Sequence, residues 1–237
     1  MYMNIQRLRQ RTKWMALVAV PVLACSRGGP STAYGKARSE RTDAAVQGTT
    51  STKAAPAAAL RLVLAPAGNA ARYRVRERLV GHDFPNDAVG ETKSLSGAIS
   101  FDSKGKVIRD ASKFTVDAST FVSDQNRRDG FVRGRLLEAD DYPMITLVPT
   151  EVRGVSLPLP TTGTSPIEMT ADLTVRGVTR PTSWKGTAQF KDGRVEGSAS
   201  TAFTFDDIQM EQPRVPVLLS VADTIRLEIN FNLVQER

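Results

Sequence analysis

Apolar and polar residues alternate with a period of two through most of the chain beyond Ala59, the pattern of strands with one dry and one wet face. Between Ile167 and Val175, the apolar residues Ile167, Met169, Ala171, Leu173 and Val175 alternate with Glu168, Thr170, Asp172 and Thr174. The last segment repeats the pattern, with Ile225, Leu227, Ile229, Phe231 and Leu233 set against Thr224, Arg226, Glu228, Asn230 and Asn232. In the first long strand Tyr73, Val75 and Leu79 oppose Arg72, Arg74, Arg76 and Arg78, and Glu77 intrudes on the apolar face. Further strands are expected at 60–65, 95–102, 106–117, 144–153, 182–190 and 194–205, divided by Lys104-Gly105, Arg176-Gly177 and Asp192-Gly193. Asp192-Gly193 is the two-residue signal of a type I′ hairpin, whose central residues both need positive φ. Residues 118–141 alone break the rhythm and are expected to hold one short helix, with Ser123 or Asp124 as its N-cap.

Eight or nine strands with one apolar face each, and almost no helix to cover it, must pack sheet on sheet or close into a barrel. The expected fold class is all-β. An eight-stranded barrel is just wide enough to hold its own side chains or one small ligand, and the pattern alone leaves both open. Residues 59–237 have the length of one domain, with no internal repeat or second linker.

Ahead of that domain, Arg7, Arg9, Arg11 and Lys13 precede an apolar run from Trp14 to Ala24. As a helix this run would reach roughly 16 Å at ~1.5 Å per residue, against about 30 Å of hydrocarbon. It therefore reads as an export signal over 1–24 rather than a span. Val22-Leu23-Ala24-Cys25 resembles the lipobox of bacterial lipoproteins, which makes Cys25, the only cysteine, the expected lipid attachment point. Ordinary cleavage, before Cys25 or near Ser31-Thr32-Ala33, is the alternative. Either way the domain is expected outside the cytoplasm, as a periplasmic or membrane-anchored protein of the cell envelope. Residues 25–58, rich in Ser, Thr, Gly, Ala and Pro, lack apolar periodicity and read as a flexible tether behind the lipidated N-terminus.

The sequence pI near 9.8 invites a nucleic-acid reading. Residues 1–25 hold four basic and no acidic side chains and residues 26–58 five basic and two acidic, so 23 basic and 23 acidic side chains balance in residues 59–237. The domain is neutral, and nucleic acid is excluded as a partner class.

Gly97-Ala-Ile-Ser-Phe-Asp, Phe114-Thr-Val-Asp with Ser123-Asp-Gln-Asn-Arg-Arg-Asp, Tyr142-Pro-Met-Ile-Thr-Leu, Ala171-Asp-Leu-Thr-Val-Arg-Gly-Val-Thr-Arg-Pro-Thr-Ser-Trp and Asp223-Thr-Ile-Arg-Leu-Glu-Ile follow one another in this chain. Their order and spacing resemble the YceI family from Tyr73 to Leu233. The resemblance implies a single antiparallel, lipocalin-like barrel of about eight strands with one short helical segment. It also implies a hydrophobic ligand, a polyisoprenoid, quinone-like or fatty-acyl amphiphile. Departures are Leu136-Leu-Glu-Ala-Asp-Asp before Tyr142, and the Gly81–Gly90 segment, which replaces the first hairpin of better-known members and implies a different pocket mouth. Inward positions on several strands supply the pocket candidates: Phe101, Phe114, Val116, Ile145, Leu173, Phe203, Ile225, Leu227 and Phe231. The resemblance places Arg127, Arg128 and Asp129 over one end of the barrel, as an ion pair fixing the helical segment or as mouth residues for a head group.

Catalysis is not expected. The chain has one histidine, His82, and no free structural thiol to act as nucleophile. Asp140-Asp141 and Asp206-Asp207 could offer oxygens to a hard cation, but neither pair sits in a spaced calcium loop, and both read as solvated turn charges. No metal or cofactor is expected. The expected function is an extracytoplasmic carrier that holds a long-chain amphiphile, with the membrane reached through the N-terminal anchor. The alternative is a solid-cored barrel whose rim, including Gly81 to Glu91, contacts another envelope protein. The oligomeric state is left open, a homodimer included.

Overall fold

The computed structural model describes residues 58–236. The expected signal peptide, Cys25 and nearly all of the tether lie outside the described residues. Within them the alternating pattern becomes ten strands: β1 (Leu60–Leu64), β2 (Ala70–Leu79), β3 (Asn86–Thr92), β4 (Leu95–Phe101), β5 (Lys113–Asp117), β6 (Met144–Arg153), β7 (Thr162–Val175), β8 (Val178–Lys191), β9 (Arg194–Thr204) and β10 (Leu218–Gln235). One helix, α1, spans Asn126–Phe131 and runs on into a π-helical turn at Val132–Leu136.

Pairing is antiparallel throughout, and β1 pairs with both β4 and β10, which closes the sheet. The ten strands form eight staves. β1 and β2 lie end to end on one edge of β10, with Leu64 opposite Leu233 and Ala70 opposite Asn230. β3 and β4 lie end to end in the same way, against β2 and β1. The result is an up-and-down barrel of eight antiparallel staves, the fold class expected from the pattern and the resemblance.

The break between β1 and β2 is stitched by two asparagines. Buried Asn69 donates from Nδ2 to the Ala65 carbonyl at 2.6 Å and accepts from the Asn232 backbone N–H at 2.8 Å. Asn232 in turn donates from Nδ2 to the Ala67 carbonyl at 3.1 Å. Side chains thus replace the ladder bonds that the backbone between β1 and β2 does not make.

Turn chemistry follows the sequence at Asp192-Gly193, where φ is +48° and +79°, as a type I′ hairpin requires. Two local expectations are corrected. The strand expected at 106–117 is split: Val107 forms only an isolated bridge to Phe101, Arg109–Ala111 turns, and β5 begins at Lys113. The cause is buried Ser112, whose hydroxyl donates to the Ile108 carbonyl at 2.8 Å and accepts from the Ser100 N–H at 2.9 Å, closing a turn where a ladder was expected. The α1 N-cap is Gln125 rather than Ser123 or Asp124, because Ser123 spends its N–H and hydroxyl on Asp129 Oδ1, at 2.8 and 2.6 Å.

The Gly81–Gly90 segment turns back into β3, so the first hairpin is present with its tip at Val80–Pro85. Its exterior carries ion pairs: Arg72 with Glu91, Arg74 with Asp87 and Glu228, and Arg76 with Asp87. These explain the arginine run on the wet face of β2.

The interior has two levels. The lower cluster contains Leu60, Leu62, Ile99, Phe101, Phe190 and Leu233, and the upper one Leu147, Leu173, Trp184, Phe203 and Ile225. The described chain starts at the lower end, where Ala59 N–H bonds the Phe101 carbonyl. Helix α1 and the long β9–β10 connection lie at the upper end.

Replacing Asn69 with alanine removes two hydrogen bonds, one buried and one partly buried, and leaves the Asn232 N–H without its partner. The variant should lose about 1–3 kcal/mol in urea unfolding, with the denaturant slope unchanged.

Candidate functional site

The upper half of the barrel encloses a cavity of about 860 Å³. Its wall comes from inward positions of strands whose period-two pattern was already visible. Val116, Ile145, Leu173, Phe203, Ile225 and Leu227 all line it. The other three pocket candidates do not. Phe101 is buried in the lower cluster, while Phe114 and Phe231 pack between the two levels and form the floor. The barrel is therefore solid below and hollow above.

Several lining residues escaped the sequence reading. Trp184, 2 % exposed, faces the cavity and donates from Nε1 to Thr182 Oγ1 at 2.9 Å, and that hydroxyl donates to the Ala171 carbonyl at 2.9 Å. Its signal was present, since Trp184 keeps the period of Ala188 and Phe190 along β8. Leu136 and Leu137 from the helical segment, and Phe205 and Met210 from the β9–β10 connection, roof the cavity. No periodicity marks residues in such connections. Arg180 lies 5.3 Å from the Phe203 ring centroid and pairs with Asp207 at 2.8 Å, which braces that connection against β8.

Polar groups gather at the mouth. Glu77, the acid that intruded on the apolar face of β2, is 7 % exposed and pairs with Arg128 at 2.7 Å. Asn86 Nδ2 donates to the same Glu77 oxygen at 3.2 Å. Arg128 also binds Asp124. Burial pushes the Asp124 carboxyl up, and the Arg128 guanidinium outweighs this and holds it below the usual carboxylate range. Asp129 does not face the cavity; its carboxylate is taken by Ser123 and fixes the start of α1. Arg127 lines the opening and has no ion pair among the described residues. The three mouth candidates thus divide into an exposed cation, a neutralised one and an anchor of the helix.

Tyr73 stands two pleat repeats below Glu77 on the same face of β2, with Val75 between them. Its ring occupies the space above Gly90, where a Cβ would lie 2.2 Å from Tyr73 Cε1, and it tilts against Phe121 with centroids 5.7 Å apart. Burial raises its phenol to about 12. His82 lines the opening from the exposed hairpin tip. Among the described residues no group of three or more His, Cys, Asp or Glu side chains could hold a metal ion. Asp207 instead accepts from the Thr204 N–H at 2.8 Å.

Two outcomes follow from this mouth. Arg128→Leu leaves the Glu77 carboxylate buried without its counterion and should cost about 3–5 kcal/mol, whereas the double variant Glu77→Leu/Arg128→Leu should recover most of that loss; chemical denaturation of the three proteins measures it. The folded protein holds the Tyr73 proton to about pH 12, while the unfolded chain releases it near the ordinary phenol value of 10.0, so stability is full below 10 and declines as pH rises through this window. Tyr73→Phe should remove that decline, read from thermal unfolding across the alkaline range.

Comparison with known proteins agrees with this geometry. No curated protein matches the sequence. A polyisoprenoid binding domain from Saccharophagus degradans, implicated in plant cell wall breakdown, superposes with a TM-score of 0.56 at 13% identity, covering 75% of this chain and 99% of that one. Burkholderia cenocepacia BcnA gives 0.51 at 14% identity, with 69% and 95% covered. A mutant of the Campylobacter jejuni YceI protein holding a monobromobimane guest gives 0.51 at 19% identity, with 67% and 90% covered. These likenesses show a shared fold. The YceI-like domain matches residues 63–233, nearly the whole barrel from β1 to β10, and the chain belongs to the YceI family.

Proposed function

We propose that the protein is an extracytoplasmic carrier that sequesters one long-chain amphiphile, with a polyisoprenoid as the favoured class. The observation that carries this reading is the division of the cavity into an aliphatic and aromatic wall and a polar mouth. About 860 Å³ falls within the ~300–1,000 Å³ typical of small-molecule sites. Ten buried methylenes contribute about 8 kcal/mol at ~0.8 kcal/mol each. That is enough to offset much of an association penalty of ~4–15 kcal/mol. The S. degradans relative, named for polyisoprenoid binding, supports the ligand class. The basic and apolar leader ending at Cys25 supports export and membrane anchoring. The carrier performs no chemical step: its one histidine, His82, stands at the exposed hairpin tip on the rim of the opening.

Native mass spectrometry of the chain purified without detergent should show a single bound amphiphile, or uptake of one equivalent of farnesol or geranylgeraniol after delipidation. Leu173→Trp and Ile225→Trp, which fill the cavity from β7 and from β10, should weaken that uptake by about tenfold or more with circular dichroism unchanged. A wild-type protein that takes up neither prenyl alcohols nor fatty acids overturns the proposal.

A further inference from the structure

The hairpin tip between β2 and β3 and the segment leading into β10 meet at the cavity mouth, where the Val80 N–H donates to the Val217 carbonyl at 3.0 Å. Together they form a lip with four large apolar side chains turned outward: Val80 is 56% exposed, Phe84 81%, Val217 55% and Leu219 58%. Among the described residues no large hydrophobic side chain is so exposed in the turns of the lower end. The patch is also continuous with the cavity, because Val80 and Val217 line it as well. Contiguous exposed apolar groups of this kind mark an interaction surface.

Charge points to the partner. Along the flank of β2, Arg72, Arg74 and Arg76 are paired with carboxylates. Arg78, Arg127 and Arg214, which fringe the lip, make no ion pair among the described residues and are exposed. Asp83 and Glu211 offset Arg78 and Arg214 in number on the two lip segments, and Asp124 and Glu77 are held by Arg128, so the fringe offers free guanidinium groups rather than a net charge. An apolar tip ringed by arginines matches an interface of acyl chains below anionic phosphates. A second copy meeting this one lip to lip would set the three arginines against their equivalents, which works against self-association.

We infer that the lip docks on a phospholipid bilayer, with Val80, Phe84, Val217 and Leu219 among the acyl chains and Arg78, Arg127 and Arg214 at the phosphates. The inference rests on the carrier reading in that it places the mouth against the phase from which an amphiphile would come. An apolar ligand then moves between bilayer and cavity without crossing water.

The test uses the full chain with Cys25→Ser and a single bimane-labelled cysteine, introduced as Phe84→Cys or Leu219→Cys at the lip or as Ser103→Cys at the lower end. Vesicles of phosphatidylcholine with phosphatidylglycerol carry bromine on their acyl chains. Quenching at 84 and 219 but not at 103 is expected. Phe84→Ser/Leu219→Ser, at positions outside the cavity wall, should lower vesicle partitioning by about tenfold while farnesol binding stays at the wild-type level. Vesicle binding that leaves both lip labels unquenched overturns the inference, because the chain then attaches elsewhere, for example through residues 14–24. A concentration-dependent dimer in sedimentation, abolished by the same double variant and without lip quenching, overturns it in favour of a second copy. Lip quenching in a protein that binds no farnesol supports docking and sinks the carrier reading instead.

Discussion

Closure of the barrel rests on one strand having enough edge for two partners. β10 runs for 18 residues, longer than either β1 or β2, and the sheet becomes a cylinder only because those two strands share its length. The residues between them would leave backbone donors and acceptors unpaired inside a closed wall. Asn69 and Asn232 take those bonds, so a pair of side-chain amides carries what is otherwise a property of the backbone ladder. The cavity depends on this seam, since an open sheet has no inside.

What the inside becomes is then a matter of side-chain volume at each height. Below, Phe101, Phe190 and Phe231 together with leucines fill the cylinder. Above, the roof is supplied by connections rather than strands, and the space stays open. The polar contribution is confined to the level where the roof meets the wall. There Glu77 and Arg128 neutralise one another, so a greasy interior tolerates charge at its rim.

Much of this was legible before any coordinates. Which side of each strand faces inward followed from alternation, and six cavity residues were found that way. Height along a strand was not legible. Ile225 and Phe231 share one face of β10, yet at ~3.3 Å per residue they lie roughly 20 Å apart, so one meets the cavity and the other the floor. β3 was missed because its inward positions are Ala88, Gly90 and Thr92, too small to contrast with their neighbours. Gly90 is small because the Tyr73 ring fills its place. Glu77 and Arg128 were each noticed, but residues 51 positions apart give no sequence signal of their pairing.

An even number of staves returns the chain to the end from which it started. The Glu236 N–H bonds the Arg61 carbonyl at 3.0 Å and its carboxylate pairs with the Arg61 guanidinium at 2.7 Å, so the first and last strands finish side by side beneath the floor. The roof over the cavity is built from internal connections, whereas closure of the barrel runs through the strand pairings. Insertions, exchanges or altered lengths in those loops can therefore change what is admitted while the cylinder stays the same. A reporter or partner domain fused beyond Glu236 would begin at the opposite pole and leave the opening clear.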